Sequence, residues 1–188
     1  MNQHPLVAAP DASEFPPYAA QYVSLLAGTE DILGALEHQP EELNKLFSGL
    51  TDEQAGYRPS PQKWSIKEIL GHINDAERIF SYRALRIARN DKTALAGFEQ
   101  DDYVRAGHFD KRQFSDLLDE FITARKATLS LMRSFPSDAW VRRGVANGAG
   151  VSVRALAYVV GGHVAHHLKI LGDKYVGPAR QLQSQAAD

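Results

Sequence analysis

The feature that most constrains the fold is a long apolar stripe that begins at Ser65. Ser65 and Glu68 have the spacing of a capping box, in which each side chain binds the backbone N–H of the other residue. Beyond them, apolar residues recur every three or four positions, which is the period of one helix face: Ile66, Ile69, Leu70, Ile73, Ala76, Ile79, Phe80, Ala84 and Ile87. The pattern predicts an amphipathic helix from about Ser65 to about Arg89.

Three further segments carry the helical period. One runs from residue 18 to Pro40, one from about residue 110 to 135, and one from Ser152 to about Lys174. The polar stretch over residues 90–110 would connect the second and third of the four helices. Helical bundles use this arrangement repeatedly. We therefore predict an all-α fold, a four-helix bundle with a long crossover loop and short extra helical turns.

Local signals predict where the elements begin and end. Thr51–Gln54 fits a capping box for a short turn, and Asp110–Gln113 fits one for the third long helix. Pro40 is expected to end or interrupt the first helix, because proline lacks a backbone N–H. The three glycines in the segment Trp140–Gly150 indicate a turn or a small hairpin.

The two ends of the chain differ in composition from the helical segments. Residues 1–17 contain four prolines and small polar residues, and are predicted to form a flexible N-terminal arm. Residues 175–188 are polar and are predicted to form a flexible C-terminal tail. A single domain over residues 18–174 lies between them.

Charge and composition argue against several classes of protein. The formal net charge is −2, so no nucleic-acid-binding surface is expected. No run approaches the roughly 18 consecutive apolar residues of a membrane span, and residues 1–17 lack the basic start and apolar core of a secretory signal. The sequence has no cysteine, which excludes disulfides and thiolate ligands and makes a cytoplasmic location the expectation. Imidazole and carboxylate groups would have to hold any metal.

Three of the seven histidines fall close together on the last predicted helix, at His163, His166 and His167. Residues four apart lie about 40° apart around a helix axis, so His163 and His167 can hold one ion. His163 and His166, about 60° apart, form a second pair. The apolar stripe runs through His163 and His167, whereas the row through His166 continues to the polar Lys169. The pattern favours His163 and His167 as ligands and makes His166 a flanking residue.

A third histidine, His72, lies beside the apolar stripe of the second long helix. A histidine in an apolar face must satisfy both ring nitrogens, and a metal ion would satisfy one of them. Three neutral imidazoles with an open position would suit zinc, nickel or a similar ion. The structural alternative is that the pair on the last helix lies on the surface and that His72 is a hydrogen-bonded core histidine.

Several motifs in order along the chain resemble one family. Trp64–Arg78 is similar to the second helix of the DinB-like, or YfiT-like, metal-dependent hydrolases, and Gly97–Asp101 resembles their acidic loop. The resemblance extends from about residue 25 to residue 174. Three more motifs resemble the segment ahead of and along the family's last helix: Trp140–Gly144, Gly150–Arg154 and Gly162–Ile170.

The resemblance implies a four-helix bundle of DinB/YfiT type in which three histidines bind a divalent metal ion. The first ligand of the family maps onto His72, and its HxxxH pair maps onto His163 and His167. His166 matches a recurring neighbour of that pair that is not usually a ligand. Lys169 departs from the family, whose members often carry glutamine there, and leaves the ligands unchanged.

Two carboxylates are candidate catalytic groups. Asp75 lies one turn after His72 and could orient an imidazole ring or accept a proton. Asp101 could line the mouth of the site from the acidic loop, and a solvated position is the alternative for both. Glu68 is assigned to the capping box, and Trp64 is expected to be a packing anchor.

Three functions are compatible with these features. The resemblance favours a metal-dependent hydrolase with metal-bound water as the nucleophile. Thiol-dependent members of the same superfamily suggest a metal-dependent S-transferase acting with a low-molecular-weight thiol such as bacillithiol or mycothiol. In the third, non-catalytic, function the ion only holds the bundle together. The expected cofactor is zinc or nickel, and the expected partners are a small-molecule substrate and, in a homodimer, a second copy of the chain.

Overall fold

The computed structural model describes residues 7–182, which form a helical bundle built on four long helices. These are α2 (Ile32–Phe47), α3 (Ile66–Ala88), α5 (Phe114–Arg133) and α6 (Val153–Leu171). Shorter elements connect them or extend the chain: α1 (Ala20–Val23), α4 (Gln100–Gly107), the hairpin strands β1 (Arg143–Ala146) and β2 (Ala149–Ser152), and α7 (Gly177–Gln181). The predicted all-α four-helix bundle is confirmed.

Helix α3 packs against both α5 and α6. Its N-terminus is the predicted capping box: Glu68 N donates to Ser65 Oγ at 3.1 Å, and Ser65 N donates to Glu68 Oε2 at 2.8 Å. The side chains of Ile66, Leu70 and Ile73 are fully buried, as the apolar stripe predicts. Burial of this stripe holds α3 in place between its neighbours.

The first predicted helix is divided in the structure. The chain leaves α1, and α2 begins only after Asp31, whose side chain accepts a hydrogen bond from Gly34 N at 3.0 Å. Pro40 lies inside α2 and does not end it. A proline removes one backbone hydrogen bond, and burial of Leu43 and Phe47 beyond it keeps the last turns helical.

The polar connection over residues 90–110 is not a simple loop, since it contains all of α4. Asp110 does not cap α5, which corrects the expected capping box. Its carboxylate instead accepts from Ser65 Oγ at 2.5 Å and pairs with Arg58. The first amide of α5, Phe114 N, donates to Asp52 Oδ1 at 2.8 Å. Asp52, which is distant in sequence, therefore accepts the hydrogen bond from the start of α5 that the local sequence suggested for Asp110.

Residues 7–17 pack against the bundle, which differs from the predicted flexible arm. Val7 is buried in the core, and the carboxylate of Glu14 is buried against Arg154 of α6, with Arg154 Nε donating to Glu14 Oε2 at 2.7 Å. This ion pair and the packing of Val7 and Phe15 connect the segment to the bundle. Residues 1–6, the rest of the predicted arm, lie outside the described part of the chain.

The predicted C-terminal tail also begins as ordered helix. A π-helical segment, Gly172–Val176, continues α6 into α7. Tyr175, Val176 and Ala179 are buried, because Ala179 follows Val176 by three residues and Tyr175 by four, which places them on one side of the helix. Residues 183–188 lie outside the described residues.

The predicted hairpin ahead of α6 is confirmed. Strands β1 and β2 pair antiparallel, and Asn147 and Gly148, both with positive φ, form the two-residue turn that such hairpins favour. Ser152 ends the hairpin and caps α6 by accepting from Ala155 N at 3.0 Å. Among the helices of residues 7–182, none combines the length and apolar character that crossing a membrane requires.

Candidate metal centre

Two long helices bring three histidines together inside the bundle. His72 lies about two turns into α3, and His163 and His167 lie one turn apart on α6. His163 Nε2 is 3.0 Å from His72 Nε2 and 3.2 Å from His167 Nε2, and the three ligand atoms all lie within 4.8 Å of one another. Imidazole nitrogens that share one ion at about 2.0–2.1 Å are themselves about 3.0–3.4 Å apart. The Nε2 spacing therefore fits a single small ion.

Two glycines beside the histidines allow close packing around the cluster. A Cβ on Gly162 would lie 2.1 Å from the backbone oxygen of Tyr22, so only glycine lets α1 approach α6 this closely. A Cβ on Gly71, next to His72, would lie 2.3 Å from ring atoms of Phe109. The absence of a side chain at Gly162 and Gly71 thus lets Tyr22 and Phe109 lie close to the two helices that carry the histidines.

Aromatic rings form much of the wall around the cluster. The ring centres of Tyr22 and Phe80 lie 5.4 and 5.6 Å from that of His163, both in edge-on contact. The ring of Trp64 lies 5.0 Å from that of His72. Because these contacts are close, the rings hold the imidazoles in place and keep their surroundings apolar.

Burial keeps all three histidines neutral. It lowers the pKa of His72 to about 4 and the pKa of His167 to about 3, and it lowers the pKa of His163 well below its ordinary value. The positive charge that neighbouring histidines would carry lowers the pKa values of His163 and His167 further. Neutral imidazole is the form that binds a metal ion, so the cluster is in its ligand form at pH 7.

The imidazole rings of the three histidines are oriented by packing rather than by hydrogen bonds to carboxylates. The Nδ1 atoms of His72 and His167 are buried and make no hydrogen bond to the residues that the structure describes. Metal-binding histidines commonly donate this N–H to a carboxylate or carbonyl group. Here contacts with the surrounding aromatic rings orient the imidazoles instead, and only the Nε2 atoms of the three histidines converge.

A cavity of about 380 Å³ adjoins the cluster on one side. His167 reaches its wall, and Asp101 of α4 lines it opposite residues of α3 and α6. The charge of Asp101 acts on His72, where it partly offsets the effect of burial on the pKa. Six of the residues that line the cavity are Lys63, Trp64, Ile69, Asp101, His167 and Lys174.

The two candidate catalytic carboxylates, Asp75 and Asp101, lie in different surroundings. Asp101 lines the cavity at the position expected from the acidic loop. Asp75 is absent from that lining; it is half-buried, which raises its pKa, and its charged neighbours are Arg78, Glu120 and Arg112 on the side of α5. Of the two candidate carboxylates, Asp101 and not Asp75 therefore reaches the cavity beside the histidines.

Three further residues, His166, Glu68 and Trp64, lie near the cluster but outside the three-histidine group. His166 is only partly buried and contacts the Tyr22 and His167 rings at 5.4 and 5.3 Å, outside the three-histidine group. Glu68 caps α3 and pairs with Arg58. Trp64 packs against the core, as expected, and also lines the cavity and contacts His72.

Sequence reasoning missed a buried ion pair close to the cluster. Arg125 of α5 and Glu77 of α3 are fully buried and bind each other. The charge of Arg125 contributes to the lowered pKa of His163, so the two lie within electrostatic reach. The signal was present in the sequence: each of the two residues interrupts the apolar stripe of its helix, as a buried ion pair does.

The fold and the histidine cluster together define a class, the helical bundles with a three-histidine site suited to a divalent metal ion. Within it, the chain belongs to the DinB superfamily, whose family model matches residues 35–171. This range contains all three histidines and confirms the resemblance found in the sequence.

The structure is similar to that of YfiT from Bacillus subtilis, described as a probable metal-dependent hydrolase with an unusual four-helix bundle topology. The two structures align with a TM-score of 0.70 over 93% of each chain, at 12% sequence identity. At this identity the similarity shows the shared fold alone. No curated protein sequence matches this chain.

Proposed function

We propose that the protein is a metal-dependent hydrolase whose divalent ion is held by His72, His163 and His167. The observation that carries the proposal is the convergence of three neutral Nε2 atoms beside a cavity. Three protein ligands with an open position are typical of catalytic sites, whereas structural sites usually close with four. Membership of the DinB superfamily and the description given for YfiT also support metal dependence.

The donor set supports zinc or nickel as the ion. All three ligands are imidazole nitrogens, which suit zinc, copper, iron and nickel better than magnesium or calcium. Bound there, the ion would supply Lewis acidity and lower the pKa of a coordinated water from 15.7 to about 7.

The residues around the cavity would position a substrate and move a proton. Trp64 and Ile69 form an apolar wall against which part of a substrate can pack. Asp101 offers a carboxylate oxygen that can accept a proton from the attacking water and return it to the leaving group. Its side chain is exposed and lies on α4, so it can make this contact without breaking a core interaction.

A second candidate function is metal-dependent thiol transfer. Lys63 and Lys174 both line the cavity, and two cations there would suit a small cosubstrate that carries carboxylate groups, such as bacillithiol. The thiol would come from this cosubstrate, since the chain has no cysteine. A purely structural ion is less well supported, because the group contains only three ligands among residues 7–182.

The test is an activity screen of the zinc-loaded and nickel-loaded protein against ester, amide and phosphoester substrates, with and without a low-molecular-weight thiol. Hydrolysis without thiol is expected. Asp101→Asn should lower turnover at least tenfold while the metal content stays unchanged, whereas Asp102→Asn, on the exposed side of α4 beside Arg105, should keep full turnover. Consumption of an electrophile only when thiol is present would overturn hydrolysis in favour of thiol transfer.

A further inference from the structure

Within residues 7–182, Arg83 of α3 is a buried cation with no acidic partner. Only 6% of its surface is exposed. Its Nη2 donates to the backbone oxygen of Ala96 at 2.8 Å, and its Nε and Nη1 make no hydrogen bond to any residue from 7 to 182. Burying a charge is strongly unfavourable unless an opposite charge or several hydrogen bonds compensate it. Arg83 therefore has unused capacity to bind an anion.

The other buried cations of the described chain are compensated. Lys67 is paired with Asp52 at 2.8 Å, and Arg125 is paired with Glu77 at 2.9 Å. Burial of a cation in this protein thus normally comes with a carboxylate. Arg83 departs from that pattern, which points to a partner from outside the described residues 7–182.

Aromatic rings fix the position of the Arg83 guanidinium. Its central carbon lies 5.8 Å from the ring centre of Phe80 and 5.9 Å from that of Phe98. Ring faces attract a cation, but they offer no acceptor for its N–H groups. Burial also lowers the pKa of Arg83, a sign that the charge is only partly compensated. The guanidinium is held in one place with donors still available.

A cavity of about 500 Å³ has Arg83 in its lining and lies between α3 and the segment that leads into α4. The other two arginines that line it are already paired: Arg86 with Asp91, and Arg78 with Glu120. Arg83 is thus the one cation of this lining that has no carboxylate partner in the described part of the chain. The remaining surface includes Leu95, Phe98 and Tyr103, and the Tyr103 side chain is half-exposed.

We propose that this cavity binds a small aromatic carboxylate. The planar guanidinium matches a carboxylate group with two parallel N–H donors. The ring of the ligand would lie against Phe98 and Tyr103, which offer apolar surface beside the charge. This site is distinct from the cavity beside His167, and binding of the carboxylate here does not require the proposed metal.

The test measures binding of benzoate and of its neutral analogue benzamide to the full chain by calorimetry and thermal shift. Benzoate is expected to bind at least tenfold more tightly than benzamide. Arg83→Met should remove at least tenfold of the benzoate affinity, and Arg83→Lys should recover only part of it, because a single ammonium cannot pair with both oxygens. Arg105→Met, at an exposed arginine outside the cavity, should bind benzoate as the unmodified chain does.

The ligand-free variants separate binding from a structural role. Arg83→Met should melt at the same or a higher temperature than the unmodified chain, since it removes a poorly compensated buried charge. Equal binding of benzoate and benzamide, or unchanged benzoate affinity in Arg83→Met and Arg83→Lys, would overturn the proposal. Tenfold tighter binding of phenylphosphonate than of benzoate would overturn the carboxylate assignment.

Discussion

Arg125 binds both carboxylate oxygens of Glu77, at 2.9 Å each, with 0% and 1% of the two side chains exposed. Arg125 also donates to Gln39 Oε1 at 2.6 Å, and Gln39 Nε2 donates to the backbone oxygen of Gly161 at 2.7 Å. These bonds join α5, α3 and α2 to the part of α6 that carries His163. The helices that supply the candidate ligands are therefore held together by a polar network behind the cluster.

The first prediction concerns this network. Arg125→Met should lower the free energy of unfolding by about 3–5 kcal/mol, because it leaves the Glu77 carboxylate buried without a partner. Urea denaturation of the metal-free chain measures the loss. The matched control is Arg133→Met, on the same helix, whose partly exposed pair with Glu37 should contribute less than about 1 kcal/mol. Similar losses for the two variants would contradict a special role for the buried pair.

The second prediction concerns the choice between adjacent histidines. His163→Ala should weaken binding of zinc by more than about 100-fold, since even residues that only support a ligand contribute 10–100-fold. His166→Ala should retain the metal, because its ring lies outside the three-histidine group. Elemental analysis after purification without an immobilised-metal column, followed by zinc titration, measures both. Equal metal content in the two variants would show that His163 is not a ligand of the metal.

The third prediction is that the metal-free protein loses stability in mild acid. Burial lowers the pKa of His72 to about 4 and that of His167 to about 3, against about 6.5 in an unfolded chain. The unfolded chain binds more protons below pH 6.5, so this stabilisation is complete above pH 6.5 and declines as the pH falls toward 4. The slope should reach about 1.4 kcal/mol per pH unit for each histidine.

Denaturation at pH 7.5, 6 and 5 in the presence of a chelator tests this slope. The range ends at pH 5 because Glu14, with its pKa lowered to about 2 by Arg154, loses its contribution only below about pH 4.5. His167→Gln should flatten the dependence by removing one of the titrating groups. A stability that stays constant from pH 7.5 to 5 would mean that the histidines are not buried as the structure shows.

The fourth prediction concerns the close approach of α1 to α6. Gly162→Ala should cost about 1–3 kcal/mol, because its Cβ would overlap the backbone oxygen of Tyr22. Gly172→Ala is the matched control: its Cβ would meet only Leu46 Cδ1, at an ordinary 3.8 Å, and alanine favours helix, so stability should be unchanged or higher. Thermal denaturation compares the two, and an equal effect would exclude the steric explanation.

The sequence predicts the elements whose signals are local. The Ser65 capping box and the apolar stripe after it predict α3 to within a residue at each end. The same periodicity places His163 and His167 on the inward face of α6. Such features depend on spacing along one helix, so no knowledge of the rest of the fold is needed.

Features that depend on distant partners are not predictable in this way. Asp110 has the spacing of a cap, yet its carboxylate binds Ser65 and Arg58, and Asp52 accepts the bond from the start of α5. The burial of Arg83 likewise depends on aromatic rings and a backbone oxygen that the later connection brings to α3. Local pattern cannot distinguish such residues from solvated ones, because the deciding contact is made by another segment.

One short helix forms part of the wall of two cavities. Asp101 of α4 lines the cavity beside His167, and Tyr103, two residues later, lines the cavity beside Arg83. If a ligand at one cavity displaced α4, the shape of the other cavity would change. Linkage would then make the effect reciprocal. The factor by which an anion at Arg83 changes the affinity for substrate would equal the factor by which the substrate changes the affinity for the anion. The helix that borders both cavities would thereby make the protein responsive to two small molecules at once.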